Sequence, residues 1–353
     1  MSVTNDHFAL TQFAHGAGCG CKIAPQVLKE ILQSSFVQPS KNILVGNSSN
    51  DDAAVYDLEN GMALISTTDF FMPIVDDAFD FGRIAAANAI SDVYAMGGKP
   101  IMALAILGWP IQKLPTALAQ KVIEGARTIC AEADITLAGG HSIDTLEPMF
   151  GLSVNGLLKT KDLKRNDTSK EGDLLFITKP IGVGVLSTAQ KRGLLKDEDK
   201  VTLIKQLTQL NSIGEKLGKL QGVTAVTDVT GFGLLGHLME IAQGSNLSAI
   251  INYSAIPKIN NIEYYLKQNT IPDATFRNWN AYSAFTEIAA DVNVMEAFNL
   301  LPDPQTNGGL LFSVNENEIK TVVSILKENG LHDFIAPIGK MTKKAEKAIK
   351  VLQ

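Results

Sequence analysis

The sequence predicts an α/β protein made of two domains, and three observations support this prediction. The chain has 353 residues, which is long for one hydrophobic core but comfortable for two of ordinary size. Helical and strand-like spacings of apolar residues alternate along both halves of the chain. Apolar residues make up 45% and charged residues 19%, as in globular proteins, so we expect neither disorder nor a fibrous repeat.

In the first half of the chain, helical patterns are separated by short strand-like runs. The predicted helices cover residues 25–33, 79–96 and 114–133. The predicted strands cover residues 43–45, 53–58, 62–67, 101–107 and 150–157. Cys130 lies in the third of these helices, and we expect it to be a buried packing residue.

The segment 159–173 is polar and dense in charge, and its apolar residues have no period. We therefore predict a first domain at 1–158, a linker at 159–172 and a second domain at 173–353. The second half begins again with a strand-like run at 174–178 and contains a helix around 201–220. It ends with further elements at 309–314, 319–328 and 335–341.

Composition excludes several functional classes. The net charge of -6 argues against a broad nucleic-acid surface, which needs clustered lysine and arginine. The longest apolar run, 101–109, is far shorter than the ~20 residues that span a bilayer, so we expect no membrane partner. Three cysteines and no signal-peptide pattern predict a soluble protein of the reducing cytoplasm. One C-x-C pair and five scattered histidines do not predict structural zinc.

The segment 15–22, with the sequence HGAGCGCK, is the strongest candidate for a reactive site. Its three glycines allow positive φ and leave backbone N–H groups free to surround an anion. Lys22 supplies a positive charge for a phosphate, and Cys19 or Cys21 could supply a thiolate, which forms more readily beside a cation. The alternative is a flexible tail in which both cysteines are small apolar residues.

Acidic residues of the first half cluster where strands end, at Asp51 and Asp52, at Asp69 and again at Asp92. Asn88 and Asp92 are four residues apart, so they share one face of an otherwise apolar helix. A buried carboxylate needs a partner, and a hard cation such as Mg²⁺ suits oxygen ligands. Taken singly, Asp52 and Asp69 could easily be turn or capping residues, and Asp92 a surface charge.

Common nucleotide-binding motifs do not fit this chain. Glycines within 231–236 have the G-x-G-x-x-G spacing, but the next strand ends in Asn252 and Tyr253 rather than an acid, so a nicotinamide site is rejected. The Asp-Phe-Gly at 80–82 has no accompanying kinase motifs, and we expect Asp80 to cap the following helix. The chain also contains no G-x-x-x-x-G-K-[ST] loop.

Seven blocks, in order, resemble the selenophosphate synthetases, also called selenide, water dikinases. They are HGAGCGCK at 15–22, GNSSNDDAAVY at 46–56, STTDFFMPIVDD at 66–77, NAISDVYAMGGKP at 88–100, LAGGHSID at 137–144, TDVTGFGLLGH at 227–237 and DPQTNGGLL at 303–311. The resemblance implies a two-domain fold of the aminoimidazole ribonucleotide synthetase type, in which N-terminal sheets pair into a β-barrel across a homodimer. It also implies synthesis of selenophosphate, AMP and phosphate from selenide, ATP and water.

The resemblance implies roles for individual residues. The essential thiol of the family falls on Cys19 and its essential lysine on Lys22, while Cys21 is expected to be dispensable. The magnesium carboxylates fall on Asp52, Asp92 and Asp228. Nucleotide contacts fall on Lys22, Ser49, Asn50, Asp51, Asp69, Asp92, Gly140, His141 and Ser142, the last three read as a glycine turn after a strand. A potassium requirement is implied as well. Asn307 departs from the serine of many members, but asparagine also accepts positive φ.

These residues suggest a mechanism in which magnesium ions and Lys22 neutralise the triphosphate while a mobile loop folds over it. Cys19 would carry or guide selenium. Two alternatives stay open. Another ATP-dependent kinase or synthetase of the same superfamily would share the acidic turns but lack the GCGCK loop. A non-catalytic thiol or metal sensor would use Cys19 and Cys21 to bind a soft ion.

Overall fold

A computed structural model of the chain describes residues 8–23, 25–32, 40–46 and 51–353. It contains two β-sheets with helices packed on them, which confirms the predicted α/β class. The first part consists of β1 (Ile43–Val45), β2 (Ala54–Asp57), β3 (Met62–Phe71), β4 (Lys99–Trp109), β5 (Thr136–Asp144), β6 (Met149–Lys159), α1 (Pro25–Ile31), α2 (Ala78–Ala95) and α3 (Thr116–Glu132).

The second part begins after a short 3-10 turn at Thr160–Asp162. Its strands are β7 (Leu174–Ile177), β8 (Val223–Asp228), β9 (Ser248–Asn252), β10 (Thr286–Ile288), β11 (Leu310–Val314), β12 (Gly339–Thr342) and β13 (Ile349–Leu352). Its helices are α4 (Val183–Lys191), α5 (Asp197–Thr208), α6 (Ile213–Gly218), α7 (Gly233–Gly244), α8 (Ile262–Leu266), α9 (Asp273–Tyr282), α10 (Val294–Leu300) and α11 (Ile319–Glu328). Within the described residues, no helix combines the length and apolar character needed to traverse a bilayer.

The first sheet has the strand order β1-β2-β3-β6-β4-β5 and is antiparallel except for the pair β4 and β5. Its longest pairing aligns β3 with β6, from Met62 opposite Lys159 to Phe71 opposite Phe150. Every second residue of these strands is buried, except half-buried Asp69, as the two-residue period of a strand requires. Phe81 of α2 lies between Phe71 and Phe150, with ring centroids 6.1 and 6.3 Å away.

The outer face of the first sheet carries large apolar side chains that are exposed. Tyr56, Phe70, Met102 and Leu104 alternate with residues that face the helices, and each is between 37% and 47% exposed. Strand β5 forms one edge of this sheet and was not predicted from the sequence. The first sheet therefore has one face covered by its own helices and one apolar face open to solvent.

Asp77 is the N-cap of helix α2, and its carboxylate accepts a hydrogen bond from the backbone N–H of Asp80. The prediction that Asp80 caps this helix is wrong, because the cap must precede the first helical residue, which is Ala78. Asp80 lies in the first turn and pairs with Arg83 at 3.0 Å. Helix α2 packs against the first sheet, α3 and α5, so its polar residues are buried between the two parts of the chain.

The second sheet has the order β10-β13-β9-β12-β7-β11-β8, with β13 parallel to both β9 and β10. Phe176 of β7 stacks on Phe312 of β11 with ring centroids 5.5 Å apart, and both rings are fully buried. Strand β8 ends at Asp228 beside helix α2, and the turn 229–232 leads into α7. This turn brings the end of the second sheet to the polar face of α2.

The prediction of one helix around 201–220 is wrong, because the chain forms α5 and α6 with a break between them. In the break, the carbonyl of Gln209 accepts hydrogen bonds from Lys179 at 2.7 Å and from the Asn307 amide at 2.9 Å. Asn211 donates to Ser91 of α2 at 2.8 Å. Contacts with distant parts of the chain thus replace the hydrogen bonds that a continuous helix would make.

Candidate active site

The loop 14–22 is packed between the two parts of the chain. The N–H of Gly18 donates to the carbonyl of Met72 at 3.1 Å, and the N–H of Cys19 donates to the Thr306 hydroxyl at 2.9 Å. Arg277 donates to the carbonyl of Gly20 at 2.8 Å. Cys19 is only 1% exposed. The structure therefore has an ordered loop here, and the alternative of a tail does not describe it.

Gly18 is the glycine of this loop whose backbone conformation requires glycine. Its φ is +49°, a conformation that L side chains rarely adopt, whereas the other two loop glycines do not have positive φ. A Cβ atom on Gly18 would also lie 2.5 Å from the Thr306 hydroxyl oxygen. The predicted use of positive φ is thus confirmed at one of the three glycines.

Asn88 is the centre of a buried hydrogen-bond network that joins the loop to both sheets. Its side-chain oxygen accepts from the thiol of Cys19 at 3.3 Å and from the backbone N–H of Asn307 at 2.7 Å. Its side-chain nitrogen donates to Asp69 at 2.7 Å. Asp69 in turn pairs with the ammonium group of Lys22 at 3.7 Å. Asn88 is fully buried, so these partners fix the orientation of its amide.

Asn307 takes its place in this network from a left-handed turn. Its φ is +46°, which confirms that asparagine supports the positive φ expected at this departure from the family pattern. The side-chain nitrogen of Asn307 donates to the carbonyls of Leu207 and Gln209 at 2.7 and 2.9 Å. The turn that contacts Asn88 is therefore held in place by the break after α5.

The charges in the network favour a neutral thiol and a protonated lysine. Burial, and then the negative charge of Asp69, raise the pKa of Cys19 well above its usual value, although Lys22 acts in the opposite direction. Attraction to Asp69 raises the pKa of Lys22. The expectation that Cys19 forms a thiolate readily beside a cation is wrong for this arrangement, because burial outweighs the nearby positive charge. Burial also raises the pKa of Cys21, whose thiol donates to the carbonyl of Gly18 at 2.9 Å.

Asp52, Asp92 and Asp228 form a buried acidic region next to this network. Thr227 donates to Asp52 at 2.9 Å, and Thr67 donates to Asp92. Burial is the main cause that raises the pKa of all three carboxyls, and the negative charge of Asp228 adds to it at both Asp52 and Asp92. Like charges held this close in a low-dielectric region favour a cation or protonation.

These acids fit a divalent cation by their chemistry. One carboxylate oxygen of Asp52 and one of Asp228 are buried and have no hydrogen-bond partner among the described residues. Such orphaned oxygens are the ligands that Mg²⁺ prefers. In the described part of the chain, however, no three side chains of His, Cys, Asp or Glu are close enough to hold one metal ion. The three acids are close enough to raise one another's pKa, but they do not form a closed metal site.

The predicted nucleotide-binding residues fall into separate groups. Ser49 and Asn50 lie outside the described residues. Asp51 accepts from the backbone N–H groups of Asp52 and Asn166 at 3.1 and 3.3 Å, and burial raises its pKa to about 7. Asp69 and Asp92 belong to the two buried clusters described above.

The prediction that residues 140–142 form a turn after a strand is wrong. Gly140, His141 and Ser142 are exposed residues inside β5, paired in parallel with β4. Pairing with β4 keeps this backbone extended although its composition is typical of a turn. Among the described residues, no hydrogen bond or ion pair joins these three positions to Cys19 or to the acids of their own chain.

Sequence reasoning missed the threonines that support the site. Thr306 accepts from the backbone of Cys19, while Thr67 and Thr227 each donate to an acid. All three lie inside the blocks 303–311, 66–77 and 227–237 that carry the family resemblance. A signal was therefore present, but only the fold shows which acid or amide each hydroxyl contacts.

Comparisons with known proteins agree on the family. The family description "AIR synthase related protein, N-terminal domain" matches residues 50–158, and "AIR synthase related protein, C-terminal domain" matches residues 170–351. The chain is 54% identical to a selenide, water dikinase of Yersinia pseudotuberculosis over 94% of each chain. It is 51% identical to the selenide, water dikinase of Pseudomonas putida, covering 97% of this chain and 98% of that one.

Solved structures at lower identity share the fold. The thiamine-monophosphate kinase of Stenotrophomonas maltophilia superposes with a TM-score of 0.64 at 20% identity, covering 88% of this chain and 91% of that chain. The hydrogenase maturation protein HypE in complex with ATP superposes with a TM-score of 0.64 at 19% identity, covering 86% and 87%. These likenesses describe the architecture and leave the substrate open.

Proposed function

We propose that this chain, which belongs to the family of selenide, water dikinases, makes selenophosphate from selenide, ATP and water and releases AMP and phosphate. The observation that carries the proposal is the buried network in which Cys19 and Lys22 meet Asp69 through Asn88, next to three further acids. A cysteine-bearing loop packed against an acidic nucleotide region distinguishes this chain from a general superfamily kinase. The relatives that share more than half of its sequence carry the same enzyme name.

Lys22 is suited to offset negative charge on the phosphoryl group that is transferred. Its ammonium group is paired with Asp69 and stays protonated, and its side chain is 39% exposed, so the charged group can turn toward a bound triphosphate. Cys19 is buried as a thiol and hydrogen-bonded to Asn88. Opening of the loop would expose it to selenide, and closure would return it to a region that excludes water.

Asp52, Asp92 and Asp228 would hold magnesium in this proposal. When bound, magnesium would neutralise the phosphates of ATP and orient them for transfer. The orphaned oxygens of Asp52 and Asp228 support this assignment, because buried carboxylate oxygens without a hydrogen-bond partner are suitable ligands for a hard cation. Asp51, Asp69 and Asp92 would contact the nucleotide, together with Ser49 and Asn50.

A homodimer explains how residues 140–142 could serve the same site. In one chain these residues lie exposed on edge strand β5, and the neighbouring sheet face exposes Phe70, Met102 and Leu104. Large apolar patches of this kind mark interaction surfaces. Pairing of this face with a second copy would close a barrel, cover the patch and bring β5 toward the partner's acids.

We also propose that the domain boundary lies within 159–172. A location in the cytoplasm is proposed as well, since the three cysteines are free.

The proposed function is tested by incubating the protein with ATP, magnesium and selenide and measuring AMP, phosphate and selenophosphate by ³¹P NMR. We expect AMP and selenophosphate in equal amounts, dependent on selenide, and the same assay with Na⁺ in place of K⁺ tests the potassium requirement. Cys19→Ser and Lys22→Ala should each abolish selenophosphate, whereas Cys21→Ser should not. ADP as the final product would instead indicate a simple superfamily kinase, and no nucleotide cleavage would indicate a sensor.

A further inference from the structure

A small cavity adjoins the cysteine loop. Cys19 and Lys22 border it from the loop, and Gly231, Arg277 and Asn278 border it from the second part of the chain. Its interior volume is about 10 Å³, which is about the room that one water molecule needs. The cavity therefore cannot take a nucleotide, and a small anion would lie at its mouth, where the exposed side chains of Lys22 and Arg277 line it.

The charge of this cavity is opposite to that of the nearby acidic region. Two cationic side chains, Lys22 and Arg277, line it, and none of its lining residues in the described part of the chain is acidic. The acids that would hold magnesium, by contrast, surround Asp228. The loop therefore separates a cationic cavity from an acidic region, and Lys22 belongs to both.

Arg277 is placed to bind an anion in the cavity while it holds the loop. One of its terminal nitrogens donates to the carbonyl of Gly20 at 2.8 Å, which leaves further N–H donors of the guanidinium group. The loop backbone lies directly against Gly231, where a Cβ atom would be 2.6 Å from the carbonyl oxygen of Cys19. An anion beside Arg277 would therefore lie next to the residues that the reaction uses.

The chemistry of the two substrates calls for such a separation. Selenide is present as the small anion HSe⁻ at neutral pH, and ATP is a highly charged anion, so they repel each other until a cation lies between them. Magnesium in the acidic region would neutralise the phosphates of ATP, but it would not provide a separate binding site for selenide. A cationic cavity would attract the negatively charged selenide ion and raise its local concentration.

We propose that this cavity is the binding site for the anionic selenide substrate, and that Arg277 is the side chain that holds it beside Cys19 and Lys22. The proposal rests on the proposed function, because selenide is a substrate only if that function is correct. The cavity itself can be tested independently with an inert anion.

The main test compares Arg277→Gln with a matched control, Lys191→Gln. Lys191 also donates to a loop carbonyl, that of Ala14 at 3.0 Å, but it does not line the cavity. A charge-assisted hydrogen bond contributes about 1.5–3 kcal/mol, so Arg277→Gln should raise the KM for selenide roughly ten- to a hundred-fold. The KM for ATP should stay unchanged, Arg277→Lys should recover part of the loss, and Lys191→Gln should leave the KM for selenide unchanged.

A second test uses iodide, a heavy monovalent anion, as the probe. Crystals of the whole protein soaked in iodide should have anomalous density in the cavity, and crystals of Arg277→Gln should lose it. Thermal melting of each variant, compared with the unaltered protein, checks that the fold is retained.

Two results would overturn the selenide site while leaving the enzyme function intact. One is an unchanged KM for selenide in Arg277→Gln. The other is that the KM for selenide and the KM for ATP rise equally, in Arg277→Gln and in Lys191→Gln alike. This would mean that Arg277 only holds the loop. A protein without selenide-dependent AMP formation would overturn the proposed function and the selenide assignment with it. Iodide density in that protein would then identify only an anion site.

Discussion

Replacement of Asn88 by alanine tests whether the network around it holds the site together. Alanine removes the acceptor of the Cys19 thiol and of the Asn307 N–H, and it removes the donor to Asp69. Asn88 is fully buried, so water cannot easily replace these bonds. The substitution should therefore lower stability and also change the reactivity of Cys19.

The expected loss of stability follows from the partners that are left unsatisfied. A buried N–H without an acceptor, here that of Asn307, costs about 1–3 kcal/mol. The bond from the Asn88 amide to the Asp69 carboxylate is charge-assisted, at 2.7 Å, and its loss costs about 1.5–3 kcal/mol. Lys22 can compensate part of the second loss because it already pairs with Asp69. We expect Asn88→Ala to reduce the free energy of unfolding by about 3–5 kcal/mol.

Two variants sharpen this test. Asn88→Asp keeps an acceptor for the Asn307 N–H but places a second carboxylate beside Asp69, so its folded-state pKa should be raised by burial and by like charge. Its stability should then be best at low pH and fall as pH rises through that pKa. Asn211→Ala is the control, since Asn211 is equally buried but donates only to Ser91 and to a carbonyl.

Guanidinium unfolding measures the free energies, and a thiol reagent measures exposure of Cys19. Asn88→Ala should speed the modification of Cys19 at constant denaturant, whereas Asn211→Ala should destabilise the protein without that effect. A loss below about 0.5 kcal/mol in Asn88→Ala, which is the range of ordinary surface changes, would refute the reasoning. A pH-independent stability of Asn88→Asp between pH 5 and 8 would also contradict it.

Four further predictions follow from burial and charge. Burial lowers the pKa of Lys179 to about 7, so the unfolded chain binds more protons above that pH, and stability should rise toward pH 10 by up to about 1.4 kcal/mol per unit. Lys179→Met should flatten that slope in unfolding measurements from pH 7.5 to 9.5, and an unchanged slope would contradict the assignment. Iodoacetamide should modify half-buried Cys21 before Cys19, as peptide mass spectrometry would detect, and the reverse order would mean that the loop is open in solution. Asp228→Asn should raise the magnesium concentration for half-maximal AMP formation at least about ten-fold, and an equal requirement would place the metal elsewhere. Leu104→Glu on the exposed sheet face should shift the protein toward the monomer in sedimentation, unless another surface forms the dimer.

The sequence predicted the features of this fold that depend on the regular spacing of apolar residues. Helix α2 carries apolar residues all around it and is buried on every side, and the strands β3 and β6 alternate as expected. The same reasoning identified Asn88 and Asp92 as polar residues on one face of α2 that need partners. Their partners lie in other elements of the chain, from Asp69, 19 positions from Asn88, to Asn307, 219 positions from it, and a local pattern cannot reveal them.

Strand β5 escaped prediction for a related physical reason. It lies at a sheet edge with almost all of its residues exposed, so no alternation of apolar and polar side chains records its pairing. Glycine, histidine and serine at 140–142 favour a turn locally, and only the backbone of β4 keeps them extended. The break after α5 has the same origin, because Lys179 and Asn307, both distant in the chain, donate hydrogen bonds to the carbonyl of Gln209.

The protonation of Cys19 illustrates the limit of arguing from neighbours in the chain. Lys22 lies three residues away and would by itself stabilise a thiolate. The folded loop, however, buries Cys19 and places Asp69 close to both side chains, so the carboxylate holds the lysine and opposes the thiolate. A magnesium ion bound to Asp69 would remove the effect of that carboxylate on Cys19, but the burial that is the larger cause would remain.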